Sequence, residues 1–306
     1  LRDLRPAGWP HGADAWRGLI AVAEWFHRTV GVPYYCVVGS PVAHSKSPLI
    51  HAAFAAQCGI DLVYEKVEVA PGCLSAALAE FRAVGGRGLN VTVPLKEEAW
   101  ALADVRMPRA ARAGAANTLW FEDEKLIADN TDGLGLVRDL EINHDAPLAG
   151  KRIVLLGAGG ASMGVLPALL DAQPSRVLIT NRTLARAERL AASHADSGRV
   201  EVLPWGAAAT EACDIVINGT SLSLQGQTPN LHSSLLDGRT LCYDMMYGAQ
   251  PTHFMEWAAE RGAARVLDGL GMLVEQAAAA FSIWNGQQPH TAPVITMVRE
   301  RIAAGT

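Results

Sequence analysis

From Pro33 onward, short runs of β-branched and apolar residues alternate with Ala-rich stretches of helical period. Apolar runs bounded by turn residues predict strands, and longer stretches with apolar positions three to four residues apart predict helices. The predicted order is strand 34–39, helix 47–58, strand 62–69, helix 73–84 and strand 88–92. This β–α–β alternation predicts a mostly parallel sheet.

A second series of alternating elements begins at Lys151. It comprises predicted strands at 151–156, 176–181, 214–218 and 241–245, and predicted helices at 161–172, 184–193, 269–284 and 294–304. Between the two series, residues 117–121 and 125–129 predict a strand pair that turns at Asp123. The pattern indicates two α/β domains that flank a cleft.

The predicted domains are 33–132 and 133–306, and the C-terminal helices of the second can pack back on the first. Residues 1–32 fit neither domain and are interpreted as an N-terminal extension of unknown role, with a candidate amphipathic helix at 15–30. Glycines at 133, 135, 269 and 271 mark the segments that cross between domains and are candidate hinges.

Composition narrows the class of protein. Half of the 306 residues are apolar, 19% are charged and the net charge is −5, an ordinary globular balance. No basic block favours nucleic-acid binding, and no apolar run reaches the roughly 20 residues of a membrane helix. The five cysteines form no C-x-x-C pair, so we expect no metal site, no disulfides and a reducing, cytoplasmic location.

A glycine-rich turn at 157 carries the clearest chemistry. A buried strand leads into Gly157, Ala158, Gly159, Gly160 and Ala161, and a helix starts at once. Glycines let the backbone approach a pyrophosphate, and the helix N-terminus offers free N–H groups and partial positive charge. Ser162 occupies the sixth position of the G-x-G-x-x-G pattern, so Gly164 is the candidate for the close-packing role. The alternative is an ordinary strand-to-helix turn, but the strand–turn–helix context favours a Rossmann-type dinucleotide site.

The end of the next strand distinguishes NADP from NAD. An NAD site usually places an acid there for the ribose 2′-hydroxyl. This chain has Asn181, Arg182 and Thr183, with Arg186 one turn further on. Guanidinium groups suit a 2′-phosphate, which an acid would repel, so NADP is favoured. The alternative is a solvated charged loop.

Four polar clusters precede the glycine turn, at 43–48 (AHSKSP), 90–96 (NVTVPLK), 116–118 (ANT) and 129–133 (DNTDG). Each lies where a predicted strand ends or a helix begins, which is where ligands bind in open α/β sheets. Taken singly, each could be a helix cap, a turn or a solvated lysine. Together, their hydroxyls, amides, lysine and aspartate suit a polyhydroxylated acid.

With these clusters, the sequence closely resembles the shikimate dehydrogenase family. The resemblance rests on the four clusters and on GAGGA at 157–161, NRT at 181–183, YDMMY at 243–247 and DGLGMLVEQA at 268–277, in the family's order from about Pro33 to the C-terminus. It implies an NADP-dependent oxidoreductase of the shikimate pathway, in aromatic amino acid biosynthesis, that reversibly reduces 3-dehydroshikimate to shikimate. An N-terminal substrate domain and a C-terminal NADP domain are expected.

The resemblance also implies a role for each matching residue. Lys96 and Asp132 would be the catalytic pair. The substrate carboxylate would bind Ser45 and Ser47, Tyr247 would close over it, and the ring hydroxyls would bind Asn90, Thr92, Asn117 and Gln276. NADP would contact Gly157, Ala158, Gly159, Gly160, Ala161, Asn181, Arg182, Thr183, Arg186, Thr220, Met245 and Gly269.

The catalytic pair also makes sense from chemistry alone. Ketone reduction needs a hydride on carbon and a proton on the developing alkoxide, and a lysine ammonium can stabilise that oxygen and deliver the proton. Which of Lys96 and Asp132 is the formal acid or base stays open, because a coupled pair titrates as a unit.

The sequence leaves two other functions open. A quinate or dual quinate/shikimate dehydrogenase would share the lysine and aspartate but often prefers NAD. A non-catalytic NADP-binding protein would need neither residue. The expected partner is a small-molecule substrate, without nucleic acid or membrane, and the chain is expected to be a monomer or homodimer.

Overall fold

The structure, a computed structural model, describes residues 31–305 apart from residues 221, 223–226 and 228–230. The extension predicted for 1–32 and its candidate helix at 15–30 therefore lie outside the described residues, apart from the last two positions.

The first half of the chain builds a mixed six-stranded sheet. Its strands are β1 (Tyr34–Gly39), β2 (Val63–Glu68), β3 (Gly86–Val91), β4 (Val105–Arg106), β5 (Thr118–Glu122) and β6 (Lys125–Asp129), in the order β2-β1-β3-β5-β6-β4. The strand β5 is antiparallel to both neighbours, and the other pairs are parallel. Its helices are α1 (Ser47–Cys58), α2 (Leu74–Ala83), α3 (Lys96–Leu102) and α4 (Pro108–Ala113).

The second half builds a fully parallel sheet. Its strands are β7 (Arg152–Leu156), β8 (Arg176–Thr180), β9 (Val200–Val202), β10 (Ile215–Asn218), β11 (Leu241–Asp244) and β12 (Arg265–Asp268), in the order β12-β11-β10-β7-β8-β9. Its helices are α6 (Gly160–Asp171), α7 (Leu184–Ala192) and α8 (His253–Glu260). This is the doubly wound order that places a dinucleotide beyond the end of β7.

Two stretches of helix connect the sheets. Helix α5 (Asp132–Arg138) and a π-helical turn (Asp139–Asn143) lead from the first sheet to the second. Helix α9 (Leu270–Asn285) returns and packs on α5 and α1, and α10 (Ala292–Ala303) follows it. The C-terminal helices thus pack back on the first sheet's α1, through a core that includes Ile50, Phe54, Phe281 and Val298. Within the described ranges, no helix is long and apolar enough to cross a membrane.

Sequence patterns missed several elements, all of them short. The strands β4, β9 and β12 have two to four residues, and the helices α3, α4, α5 and α8 have six to eight. Such lengths show too little of a periodic pattern to be recognised, and neighbouring elements stabilise them instead.

The candidate hinge glycines are required for close packing. None of the four has a positive φ. A Cβ on Gly133 would lie 2.7 Å from the Ala168 Cβ, and one on Gly135 would lie 2.7 Å from the Met272 carbonyl oxygen. One on Gly269 would lie 2.3 Å from the Met245 carbonyl oxygen. These glycines let α5, α6, α9 and the end of β11 approach one another, which brings both sheets to one cleft.

Candidate active site

The structure pairs Lys96 with Asp132. The lysine Nζ lies 2.5 Å from Oδ2 of the carboxylate, and the two side chains are only 11% and 6% exposed. Lys96 is the first residue of α3 and Asp132 the first of α5, so neighbouring segments that follow β3 and β6 supply the two charges. Asp132 makes this ion pair in place of a helix cap, which was the simpler interpretation of its position. The ion pair fixes the Lys96 side chain in one position inside the protein, whereas a solvated surface lysine would have no fixed position.

Asn117 links the pair to the distant helix α9. Its Nδ2 donates to Asp132 Oδ1 at 2.9 Å and to Gln276 Oε1 at 3.1 Å. Its Oδ1 accepts from the backbone N–H of Thr131 at 2.8 Å, which fixes the amide orientation. Three predicted site residues from three parts of the chain therefore lie in one buried network.

The predicted carboxylate-binding residues form a second corner. The Ser45 hydroxyl donates to Ser47 Oγ at 3.1 Å. Burial raises the pKa of Tyr247, and a hydrogen bond with the backbone of Lys46 opposes that shift. Tyr247, which follows β11 of the second sheet, thus reaches residues 45–47 before and at the start of α1, the serine loop. The structure therefore brings the predicted carboxylate-binding residues together.

The predicted hydroxyl-binding residues lie at the end of β3. Asn90 is buried and donates to the Asn117 carbonyl oxygen at 3.1 Å, which places it beside the Asn117 network. Thr92 is half-buried and follows the strand directly.

A cleft of about 420 Å³ runs from Lys96 along the glycine turn to the end of β8. Gly157 has φ +99°, where a side chain would be strained, and nothing lies within 4 Å of the Cβ position of Gly159. A Cβ on Gly160 would lie 3.1 Å from the Lys96 Cβ, so the turn lies directly against the Lys96 side chain. Gly164 does provide close packing, since a Cβ there would lie 2.9 Å from Asp132 Oδ2.

The cleft fits a phosphorylated dinucleotide. The α6 N-terminus at Gly159 has no side-chain cap, so the first N–H groups of the helix are left for an anion at the glycine turn. Arg182 and Arg186 are exposed and form no ion pair within the described residues. All but one of the residues predicted to contact the cofactor line the cleft: Gly157, Ala158, Gly159, Gly160, Ala161, Asn181, Arg182, Thr183, Arg186, Thr220 and Met245. The exception is Gly269, which packs behind Met245.

Comparison with known proteins follows the same division of the chain. Residues 37–119 match the family described as "Shikimate dehydrogenase substrate binding domain" and residues 141–235 match "Shikimate / quinate 5-dehydrogenase". Residues 269–296 match "Shikimate 5'-dehydrogenase C-terminal domain". The chain belongs to the shikimate dehydrogenase family. The resemblance inferred from the sequence is therefore confirmed.

Individual members of the family align with most of this chain and with nearly all of their own length. An NADP(+) shikimate dehydrogenase of Alkalilimnicola ehrlichii is 53% identical over 87% of this chain and 98% of its own. The Ael1 enzyme of Pseudomonas putida is 44% identical with a TM-score of 0.80, covering 87% and 97%. A Thermus thermophilus shikimate 5-dehydrogenase, solved with NADP(H) and shikimate, is 34% identical with a TM-score of 0.77, covering 88% and 99%. The predicted two-domain α/β fold is confirmed.

Sequence motifs missed part of the cleft. Its wall also contains Val93, Pro94, Glu97, Trp205, Gly219, Leu222 and Met246. Trp205 is the most informative of these, because it follows the short strand β9 next to β8 and carries a large half-buried ring. No motif surrounds it, and the preceding strand β9 has only three residues, so the sequence pattern carried no signal for its place in the cleft.

Proposed function

We propose that the chain catalyses the reversible NADPH-dependent reduction of 3-dehydroshikimate to shikimate. The buried Lys96–Asp132 pair carries this proposal, because Gly160 of the glycine turn lies directly against Lys96. Proton and hydride donors can therefore meet at one carbonyl group. Relatives named for this enzyme, 50–53% identical over most of the chain, confirm the predicted enzyme class and its cofactor NADP.

The chemistry divides between cofactor and protein. NADPH, when bound along the cleft, supplies the hydride that reduces the C3 carbonyl carbon. The Lys96 ammonium hydrogen-bonds the carbonyl oxygen, stabilises its developing negative charge and transfers a proton to it. Asp132 holds the lysine through the 2.5 Å contact and shares its proton. In the oxidative direction, the pair takes the proton from the C3 hydroxyl group.

The other site residues bind and orient. Ser45 and Ser47 hold the substrate carboxylate, and Tyr247 closes over it from the cofactor side. The ring hydroxyls lie against Asn90, Thr92, Asn117 and Gln276. These roles are supported by the shared network around Asn117 and by the Tyr247 bond to the serine loop.

The cofactor residues follow the cleft from end to end. The free N–H groups at Gly159 and Gly160 hold the pyrophosphate, and Arg182 and Arg186 hold the 2′-phosphate. Thr220 and Met245 lie further along the same wall, and Gly269 positions Met245.

The proposal also covers the domain limits, the cellular location and the oligomeric state. The limits 33–132 and 133–306 are supported by the two sheets, although α9 and α10 pack on α1 of the first. A cytoplasmic location fits a biosynthetic enzyme with free cysteines. We infer a monomer or homodimer.

Quinate is the substrate that tests specificity most simply. We expect the initial rate with shikimate and NADP⁺ to exceed the rates with quinate or with NAD⁺ by at least about tenfold, because one polar contact can discriminate this strongly. Initial rates for the four substrate and cofactor combinations measure this directly. Equal rates with quinate would favour the dual quinate/shikimate alternative.

Trp205 is expected to stack on the adenine ring. Replacing it with alanine should raise the KM values for NADPH and NADH alike by about tenfold, since stacking does not involve the 2′-phosphate. The kcat should change little. Trp205→Phe is the matched control, because it keeps an aromatic face and should bind almost normally. Unchanged KM values in Trp205→Ala would contradict the assignment.

A further inference from the structure

Tyr64 is a buried tyrosine on the edge strand β2. Its residue is 7% exposed, and its partner in register on β1 is Tyr35. A buried phenol hydroxyl normally requires a hydrogen-bond partner. The partners of Tyr64 both belong to the proposed substrate site.

The Tyr64 hydroxyl connects the two halves of that site. It donates to Asn90 Oδ1 at 2.7 Å. Burial raises the pKa of Tyr64 well above its ordinary value, and a hydrogen bond with the Ser47 side chain opposes that shift. One phenol group therefore bonds a residue proposed to hold the carboxylate and a residue proposed to bind a ring hydroxyl.

These contacts determine what Asn90 can offer a ligand. Both N–H groups of its amide are in use, since Nδ2 donates to the Asn117 carbonyl oxygen at 3.1 Å and to Thr118 Oγ1 at 3.3 Å. Its Oδ1 accepts one bond from Tyr64 and has a second lone pair. The bonding capacity left on the amide is therefore that of an acceptor, which a hydroxyl group satisfies and an ether or a C–H group does not.

His51 of α1 supports the phenol from one side. The two rings stack with centroids 4.1 Å apart and an interplanar angle of 9°. His51 has no exposed surface, and neither ring nitrogen meets the geometry of a hydrogen bond with a described residue. Burial lowers the pKa of His51 to about 3, and the Asn90 side chain opposes part of that shift. The imidazole ring is therefore neutral at physiological pH and acts as an aromatic surface for the phenol.

We propose that Tyr64 is a positioning residue that fixes Asn90 as a hydrogen-bond acceptor and thereby makes the site select a ring hydroxyl. The inference rests on the proposed function, because the selected hydroxyl is one of the two that do not react, at C4 or C5 of shikimate. Tyr64 acts through Asn90 and Ser47.

The test compares Tyr64→Phe with the wild type on shikimate, 4-deoxyshikimate and 5-deoxyshikimate, with NADP⁺. The wild type should reject one deoxy analogue by at least about tenfold in kcat/KM. Tyr64→Phe should reduce that ratio about five- to tenfold, the usual effect of one hydrogen bond, mainly by raising the KM for shikimate. The kcat and the KM for NADP⁺ should stay within about twofold, since neither depends on this bond.

Tyr35→Phe is the matched control. Tyr35 lies opposite Tyr64 on β1, and its hydroxyl donates to Asn285 Oδ1, away from the substrate residues. We expect its selectivity and KM values to equal those of the wild type. A Tyr64→Phe enzyme with unchanged selectivity for both analogues would overturn the inference. If the wild type failed to oxidise shikimate at all, the proposed function itself would be contradicted, and this inference with it.

Discussion

Replacing Lys96 with alanine should lower the kcat by about 10²–10⁴, the usual consequence of losing an acid–base group. The variant has no ammonium group to stabilise the developing alkoxide or to protonate it. The KM for shikimate should change far less, because Ser45, Ser47 and Gln276 lie outside the ion pair. Steady-state rates in both directions measure the effect.

Two further variants separate chemistry from folding. Lys96→Ala leaves the Asp132 carboxylate buried without its cation, which also costs stability. Lys96→Arg keeps the charge but is a poor proton donor, so we expect a folded enzyme with an intermediate kcat. Lys125→Ala, at an exposed lysine that begins β6, should behave as the wild type. A Lys96→Ala enzyme with near-normal turnover would exclude the proposed catalytic role.

Reversing the charge at Arg182 should raise the KM for NADPH by about 10²-fold and leave the KM for NADH almost unchanged. The guanidinium group is exposed at the cleft and bonds the 2′-phosphate in the proposal, whereas a glutamate would repel that dianion. NADH has no 2′-phosphate and loses nothing. KM values for both cofactors with 3-dehydroshikimate as substrate measure the difference.

The matched control is Arg189→Glu, in helix α7 directly after the Arg182 segment but outside the residues that line the cleft. It changes the net charge equally and should alter neither KM. Equal losses for NADPH and NADH in Arg182→Glu would contradict the 2′-phosphate role, since a general effect on the cleft would affect both cofactors.

Residues with local signals were predicted well. The glycine turn lies between a buried strand and a helix, so its chemistry could be recognised from 151–164 alone. The strand β1 and the helix α1 have the bounds predicted for them, since a continuous apolar run marks the strand and an Ala-rich stretch with Pro48 in its first turn marks the helix. The Lys96–Asp132 pair rested on family resemblance, because nothing in the spacing of residues 96 and 132 shows that they touch.

What was missed depends on contacts between distant segments. Tyr64 looks like an ordinary strand residue until the fold places its hydroxyl against Asn90, 26 positions away. Trp205 lies in a loop without a motif. Glycines 133, 135, 269 and 271 were predicted as hinges, whereas their role in close packing becomes evident only when α5 and α9 are seen together.

The most direct test adds shikimate and NADP⁺ to the purified wild-type chain and follows the absorbance of reduced nicotinamide. The account predicts a rate that saturates with both compounds and is reduced by about 10²-fold or more in Lys96→Ala. Absence of NADP⁺ reduction by a folded enzyme that binds NADP⁺ would contradict the central claim.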